Sequence, residues 1–536
     1  MKPLLTRDLK IKFLGITPVL VDKTGVLNPQ QIVALSALLT FKGKSIKDLL
    51  KDIKEKSKDV DERIVKILQK SSLRGHASIA TTPSLCLTYE GSKFLDSVLT
   101  GIVFSSSLVS SGRRTDTTKK DIVYPSGIFE SKKAKKIYQK VSENIIGTYN
   151  HFLEKGVQKD EASKLLQYGI FGTGIIQLPI ESIVGLKREY LAEKEWMPEE
   201  VGILLSKIEE EFKNFGLDTL YSMREAAPRN VYPYPNIFKN PRKSNITREL
   251  IEKEKILGGT KLISMDILET PGLKEKLLKL GGEIKESAKS FEGIKKNWMK
   301  LLVSRQEILR DYNQALRFKI LSSIPWRVWG EKKRHRTVPQ IIESIYYSAS
   351  RALKTFNRLE KEIKKNEINE EIIGQIQEVF SIPPSIEKNP ELLKKYLLVS
   401  LDALQAYQKL ISLKIKPREA IFLVPRAVKI DILQEYDLYN LLTGYFPLRL
   451  CSTAEEEMRR KTVKEVADIK TALKKKGQGW LADFIVPKCF LVGFCPEEKT
   501  CFKIKGLVKK YNEEFHREMK KNLQKRFEKN LKNLGK

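Results

Sequence analysis

Along most of the chain, apolar residues recur at three- and four-residue intervals in a charged background, the pattern of helices that bury one face. Lys44–Leu68, Lys132–Leu153 and Ile342–Leu353 carry it most clearly and are expected to be helical. Strands are fewer. Ser84–Tyr89 (SLCLTY) is rich in strand formers and bounded by Pro83 and Gly91. Leu316–Leu321 (LRFKIL) alternates apolar and basic residues, as a half-buried strand does. Pro228–Pro241 carries four prolines, which remove backbone donors and disfavour helix before them, so it reads as a linker. Gly258–Gly282 is expected to hold a loop, and the Lys/Glu-rich end from Leu507 a solvated helix. The division that follows is a first domain over 1–240, a second over 241–480, and a terminal segment over 481–536. Both domains run through a similar progression: short strand, helix with Ser, Arg or His, long charged helix, proline-bounded helical segment. Direct identity is low, and periodicity alone does not establish a repeat.

Charge and cysteine usage narrow the class. Lys and Arg number 98 against 66 Asp and Glu, a net charge of +32. Such a surplus concentrates anionic ligands, nucleic acid among them, although a lysine-rich proteome or hot habitat gives the same number. Five cysteines in 536 residues make no disulfide framework and point to a reducing compartment. Arg7, Asp8, Lys10 and Lys12 interrupt any secretory core, and no run of about 18 apolar residues exists to span a membrane. A cytoplasmic protein without membrane attachment is expected. Cys489, Cys495 and Cys501 lack the two-residue spacing of zinc sites, so no metal is expected and free thiols or a redox disulfide fit better. Gly43-Lys44-Ser45 resembles the end of a phosphate loop, but Leu38 stands where that loop needs glycine. Gly169, Gly172 and Gly174 lack the dinucleotide spacing.

Only four histidines occur, and His335 sits in Lys332-Lys333-Arg334-His335-Arg336. Planar guanidinium forks flanking an imidazole suit a phosphate or an electron-rich ring; a basic surface run is the plainer reading. The residues that follow add specificity. Arg334-His335-Arg336-Thr-Val-Pro-Gln-Ile-Ile-Glu-Ser344 resembles the signature of the flavin-dependent thymidylate synthases: Arg-His-Arg, then serine, asparagine, serine and arginine at fixed intervals. The trio and Ser344 match; Pro339, Ile341 and Tyr346 replace the first serine, the asparagine and the last arginine, and Glu331 replaces an upstream glutamine. The first half resembles the missing parts. Arg74-Gly75-His76-Ala77-Ser78 is similar to the family's flavin-contacting His-x-Ser/Thr, and Ser111-Gly112-Arg113-Arg114 to its nucleotide-holding Ser-x-Arg-Tyr. Counted back from Ser111, the trio's place falls on Gly101-Ile102-Val103. Leu438–Arg449 and Ala454–Arg459 resemble the block that ends in the family's essential arginine, here Arg449; Lys164 is matched to a phosphate-binding arginine.

The resemblance implies an α+β fold: two similar mixed domains, each a small sheet packed by long helices. It implies reductive methylation of dUMP to dTMP, with methylene-tetrahydrofolate as carbon donor, NADPH as reductant and FAD as hydride carrier. His76, Ser78, Arg334, His335 and Arg336 would contact the flavin. Ser111, Gly112, Arg113, Ser344 and Lys164 would bind the nucleotide, with Arg449 catalytic. No Cys-His pair of the folate-only synthases is present. Sites in this family form between subunits, so a homodimer of tandem chains is expected, its composite sites drawn from complementary copies. The competing expectation is a degenerate, non-catalytic protein of the same fold whose basic surface binds nucleic acid.

Overall fold

The structure, a computed structural model, describes residues 3–501 apart from 19, 23–24, 57–58, 75, 113–114, 244–245, 492–494, 496 and 498–500, together with scattered positions between 517 and 532. Two four-stranded sheets organise it, and the fold is α+β. The first contains β1 (Lys10–Thr17), β2 (Ser84–Ser92), β3 (Ser106–Val109) and β4 (Phe171–Pro179), paired antiparallel in the order β1-β2-β4-β3. The second contains β5 (Thr260–Ile267), β6 (Leu316–Pro325), β7 (Gln340–Ile342) and β8 (Lys429–Asp437), in the order β5-β6-β8-β7. Taken in chain order, both sheets therefore run first, second, fourth, third.

The connections repeat as well. β2 leads into α1 (Lys93–Leu99), and β3 is followed by α2 (Ser126–Glu130), α3 (Lys132–Glu154) and α4 (Lys159–Ala162). β6 leads into α5 (Trp326–Lys332), and β7 is followed, after Ile345–Arg358 and shorter helices, by α6 (Pro384–Glu387), α7 (Pro390–Ser412) and α8 (Pro417–Ala420). Matching bonds recur 258 positions apart. Tyr138 Oη donates to the Val123 carbonyl at 2.8 Å, and Tyr396 Oη to the Ser381 carbonyl at 2.8 Å. Bridge Ile122–Ile170 is repeated as Phe380–Val428.

Two compact units emerge: Met1–Arg248 with Pro325–Arg334 and Ile342–Ile430, and Glu249–Ile324 with His335–Ile341 and Asp431–Lys536. Within the first, α3 packs on α7. The Glu419 carboxylate accepts from Gly127 N at 3.3 Å, and Glu161 from Ser385 N at 3.4 Å, so equivalent residues exchange equivalent bonds. Gln167 and Pro425, themselves 258 apart, form an antiparallel bridge. Such reciprocity is what a two-fold relation between two similar elements produces. An aromatic cluster closes this core: Phe94 stacks on Phe422 at 4.3 Å, and Trp326 lies 4.1 Å from Tyr168. The second unit has its own core, where Phe318, Tyr436, Tyr445 and Phe446 are fully buried and Tyr436 lies 5.1 Å from Tyr445.

Lys132–Leu153 forms α3 as its spacing predicts. Lys44–Leu68 is two helices, Ile46–Lys56 and Val60–Ser71, because Asp59 turns out of the helix and caps the second by accepting from Asp61 N and Glu62 N. The strand over Leu316–Leu321 extends to Pro325; its alternation ends at Lys319 because Ile320–Pro325 is buried on both faces. The helix expected from Ile342 starts at Ile345, since Gln340–Ile342 is β7. Gly258–Gly282 is mostly regular, with β5 and helix Leu273–Ser287 leaving a loop at 268–272. Residues 228–240 form neither helix nor strand, as the prolines require. Most of the segment from Leu507 lies outside the described residues.

Candidate functional site

In the second unit, the sequence after β8 builds a support for His335. The chain leaves the strand through a π-helical turn, Asn440–Gly444, then the short helix Phe446–Arg449. π-Turns are uncommon and concentrate at functional positions. Gly444 is required in this one, because a Cβ there would lie 2.3 Å from the Tyr439 ring. The turn carries Tyr445 and Arg449 to one imidazole. Arg449 Nε lies 3.0 Å and Nη2 2.7 Å from His335 Nε2, and the Tyr445 ring meets His335 edge-on at 4.9 Å. A guanidinium has only donors, so His335 Nε2 accepts and the ring proton sits on Nδ1.

Beneath this pair lies a network that sequence reasoning missed. Thr337 Oγ1 donates to Asn440 Oδ1 at 3.1 Å, and Asn440 Nδ2 donates to Asp437 Oδ1 at 2.7 Å. Asn313 Nδ2 reaches Asp437 Oδ2 at 2.9 Å, and its own Oδ1 accepts from Tyr439 N at 2.7 Å. Asp437 and Asn440 are buried. These bonds tie the segment after the trio to the turn that carries Arg449. The only sequence signal was an amide, Asn440, inside an otherwise apolar block. Arg334 and Arg336 are exposed and His335 half-buried, so the trio offers charged donors at an accessible surface. That fits an anionic or electron-rich planar ligand such as a flavin.

In the first unit, Ser111 and Gly112 form a half-buried turn after β3. Lys93, on α1, holds the preceding Ser110 through its carbonyl and hydroxyl and pairs with Asp96 at 2.9 Å. Tyr89 Oη donates to the same carboxylate at 2.5 Å. Burial lowers the Lys93 pKa, and Asp96 opposes that shift. Ser92 caps α1, and its N and Oγ bond the buried Glu200. Burial raises the Glu200 carboxyl to about 8, against the Ser92 bonds. His76 and Ser78 are exposed around the start of the short helix Ala77–Thr81. Lys164 is fully buried. Ser344 is buried, and its hydroxyl donates to the Lys239 carbonyl at 2.7 Å. Arg113 lies outside the described residues.

Residues 312–472 match the family model described as thymidylate synthase complementing protein. That stretch runs through β6, the trio, β8 and the Arg449 turn. A flavin-dependent thymidylate synthase from Pyrococcus furiosus is 34% identical over 128 residues, 23% of this chain and 49% of that protein. Its counterpart from Pyrococcus abyssi is 31% identical over 146 residues, 25% of this chain and 55% of that one. The likeness to flavin-dependent thymidylate synthases therefore lies in the segment that holds the trio and Arg449. It spans about half the length of the curated relatives it matches. A UMP/dUMP methylase from Streptomyces cacaoi bound with 5-Br dUMP aligns over 43% of this chain at 10% identity and a TM-score of 0.33, so the fold class rests on the strands and helices above.

Among the described residues of the chain, no group of three or more His, Cys, Asp or Glu is arranged to hold a metal. Cys489 and Cys495 are buried together with Cys501 packed against them, all as free thiols. Burial pushes the Cys489 thiol up to about 11 and raises Cys495, which keeps both protonated rather than nucleophilic. No helix among the described residues is long and apolar enough to cross a membrane.

Proposed function

We propose that the chain is an FAD-dependent thymidylate synthase, methylating dUMP to dTMP with methylene-tetrahydrofolate and NADPH. The observation that carries this reading is the Arg449–His335 pair, held by the Asp437–Asn440 network inside the segment that matches the family. In it, Arg334, His335 and Arg336 hold the flavin, with His76 and Ser78. Ser111, Gly112, Arg113 and Lys164 are the nucleotide residues; Ser344, whose hydroxyl is spent on the Lys239 carbonyl, is left out. The flavin, when bound, supplies the hydride that reduces the transferred carbon. The chain's own contribution is electrostatic. Arg449, locked against a neutral imidazole, keeps a fixed positive charge where electron density grows on the pyrimidine. The network beneath prevents that charge from moving away, so little reorganisation is needed during turnover.

The repeated sheet order and the bonds recurring 258 positions apart support two diverged copies, over 1–240 and 241–480, followed by a terminal segment. A pair of such chains would form the working assembly. Purified protein mixed with FAD is expected to be yellow, to change its flavin spectrum on adding dUMP, and to form dTMP with both cosubstrates. A colourless protein that binds DNA and ignores dUMP would establish the nucleic-acid-binding alternative.

A further inference from the structure

The two turns that match each other, Ser111 after α1 and Ser344 after α5, stand 18 positions beyond the starts of their helices. Both lie in the first unit, yet their surroundings have diverged. At Ser344 the chain fills its own space. The Ser344 hydroxyl is spent on the Lys239 carbonyl, and Lys239 Nζ donates to Ile342 O at 2.7 Å. Tyr346 is buried, its ring 4.8 Å from Trp196 and its hydroxyl bonded to the Trp196 carbonyl. Tyr168, equivalent by the 258-residue offset to Arg426, bonds Trp326 O at 3.2 Å through its hydroxyl.

At Ser111 the opposite holds. Arg426, from the segment after α8, lies directly under the turn: a Cβ added at Gly112 would stand 3.2 Å from its Nη1. Its Nε donates to Gln167 O at 3.1 Å, and its guanidinium lies over the Tyr168 ring at 4.7 Å. Arg426 is 2% exposed, but its Nη2 has no hydrogen-bond partner among the described residues. Tyr149, close enough for its hydroxyl to feel the Arg426 charge, is also fully buried, and its Oη has no partner among the described residues. Burial lowers the Arg426 pKa to about 10, with Arg327 adding to the strain and Asp96 and Tyr149 opposing it. Two buried donors without an acceptor among the described residues are costly, and an anion with several acceptor oxygens would satisfy both.

We infer that the chain carries one nucleotide-phosphate site, at the Ser111–Gly112 turn with Arg426 and Tyr149 beneath it, and that the matching turn at Ser344 is closed by Tyr346 and Lys239. The inference rests on the dUMP reading above and adds to it the cation and the stoichiometry. The site is composite within one chain: the turn comes from the first copy and the arginine from the second.

The test is calorimetric titration of the full chain with dUMP and, separately, with deoxyuridine. The native protein is expected to bind one dUMP per chain. Arg426→Gln is expected to weaken dUMP binding on the order of 10- to 100-fold while leaving deoxyuridine binding unchanged. Arg426→Lys, which restores a charge without the fork, should fall between and serves as the reference if the glutamine variant does not fold. Two dUMP per chain, or equal dUMP affinity in native and both variant proteins, overturns the inference while leaving the enzyme reading intact. Failure of the native protein to bind dUMP at all sinks the enzyme reading and this inference with it.

Discussion

Glu200→Gln isolates a buried proton in the first unit. Glu200 is fully buried, accepts from Ser92 N at 2.9 Å and bonds Ser92 Oγ, so it fixes the strand-to-helix corner that precedes the Ser111 turn. Its carboxyl titrates near 4.5 when free and at about 8 in the fold, chiefly because burial disfavours the charge. The folded form therefore keeps a proton that the unfolded chain has released above its own pKa. Stability from this group is complete below about pH 4.5 and falls as pH rises towards 8, beyond which nothing more is lost. The full swing is ~3.5 pK units at ~1.36 kcal/mol each, or about 5 kcal/mol. Glutamine is neutral at every pH and keeps an acceptor for Ser92 N. Urea unfolding of both proteins at pH 5, 7 and 9 should show the variant nearly equal to native at pH 5, ahead by about 3 kcal/mol at pH 7, and further ahead at pH 9. A stability difference that stays constant from pH 5 to pH 9 would refute a protonated Glu200.

Other expectations concern the site and its scaffold. Arg449→Ala, which removes both donors to His335 Nε2, should cut dTMP formation by about 100-fold or more while the protein stays yellow; undiminished turnover would remove Arg449 from catalysis. Arg336→Ala should lose flavin, read as absorbance retained after gel filtration. Asn440→Ala should act as a positioning change, lowering kcat more than it raises the KM for dUMP; an effect on thermal stability alone would mean the network is merely structural. Arg224→Ala leaves Glu181 buried without the partner that now holds it at 2.6 and 2.7 Å, and should destabilise the first unit by about 3–5 kcal/mol in denaturant titrations.

The parts of the fold that were legible in the sequence are those where burial is one-sided. Lys132–Glu154 shows three- and four-residue spacing because one face of α3 is buried, and Ser84–Tyr89 reads as strand because β2 buries alternate residues. Ile320–Pro325 lost that signal because both faces are covered, so no alternation remains to be read. The break at Asp59 was readable in principle, since an aspartate ahead of Val60 is a capping residue, but it sat inside a periodicity strong enough to carry across it. The trio and the Arg449 block were legible because charged residues at fixed spacing survive as a pattern. Their support was not, because Asn313, Thr337, Asp437 and Asn440 meet only after the chain has folded.

The correspondence between positions 258 apart was hardest to read, and the reason lies in which atoms carry it. Between the equivalent stretches 122–170 and 380–428, the bonds that recur fall mostly on backbone atoms, which impose no residue identity. Side chains were kept where they are themselves a shared contact: Tyr138 and Tyr396 reach a carbonyl across their own copy, and Glu161 and Glu419 reach the other copy. Elsewhere the copies were free to diverge, and at Tyr168 against Arg426 they did so in opposite chemical directions. A duplicated two-fold arrangement begins with two equal sites, but fusion into one chain removes the symmetry that forces them to change together. One turn could then fill with tyrosine and close, gaining packing, while the other kept a buried guanidinium that only an anion satisfies. On the proposed reading of two diverged copies, low identity between the halves is the expected trace of a duplication whose two sites have taken different roles.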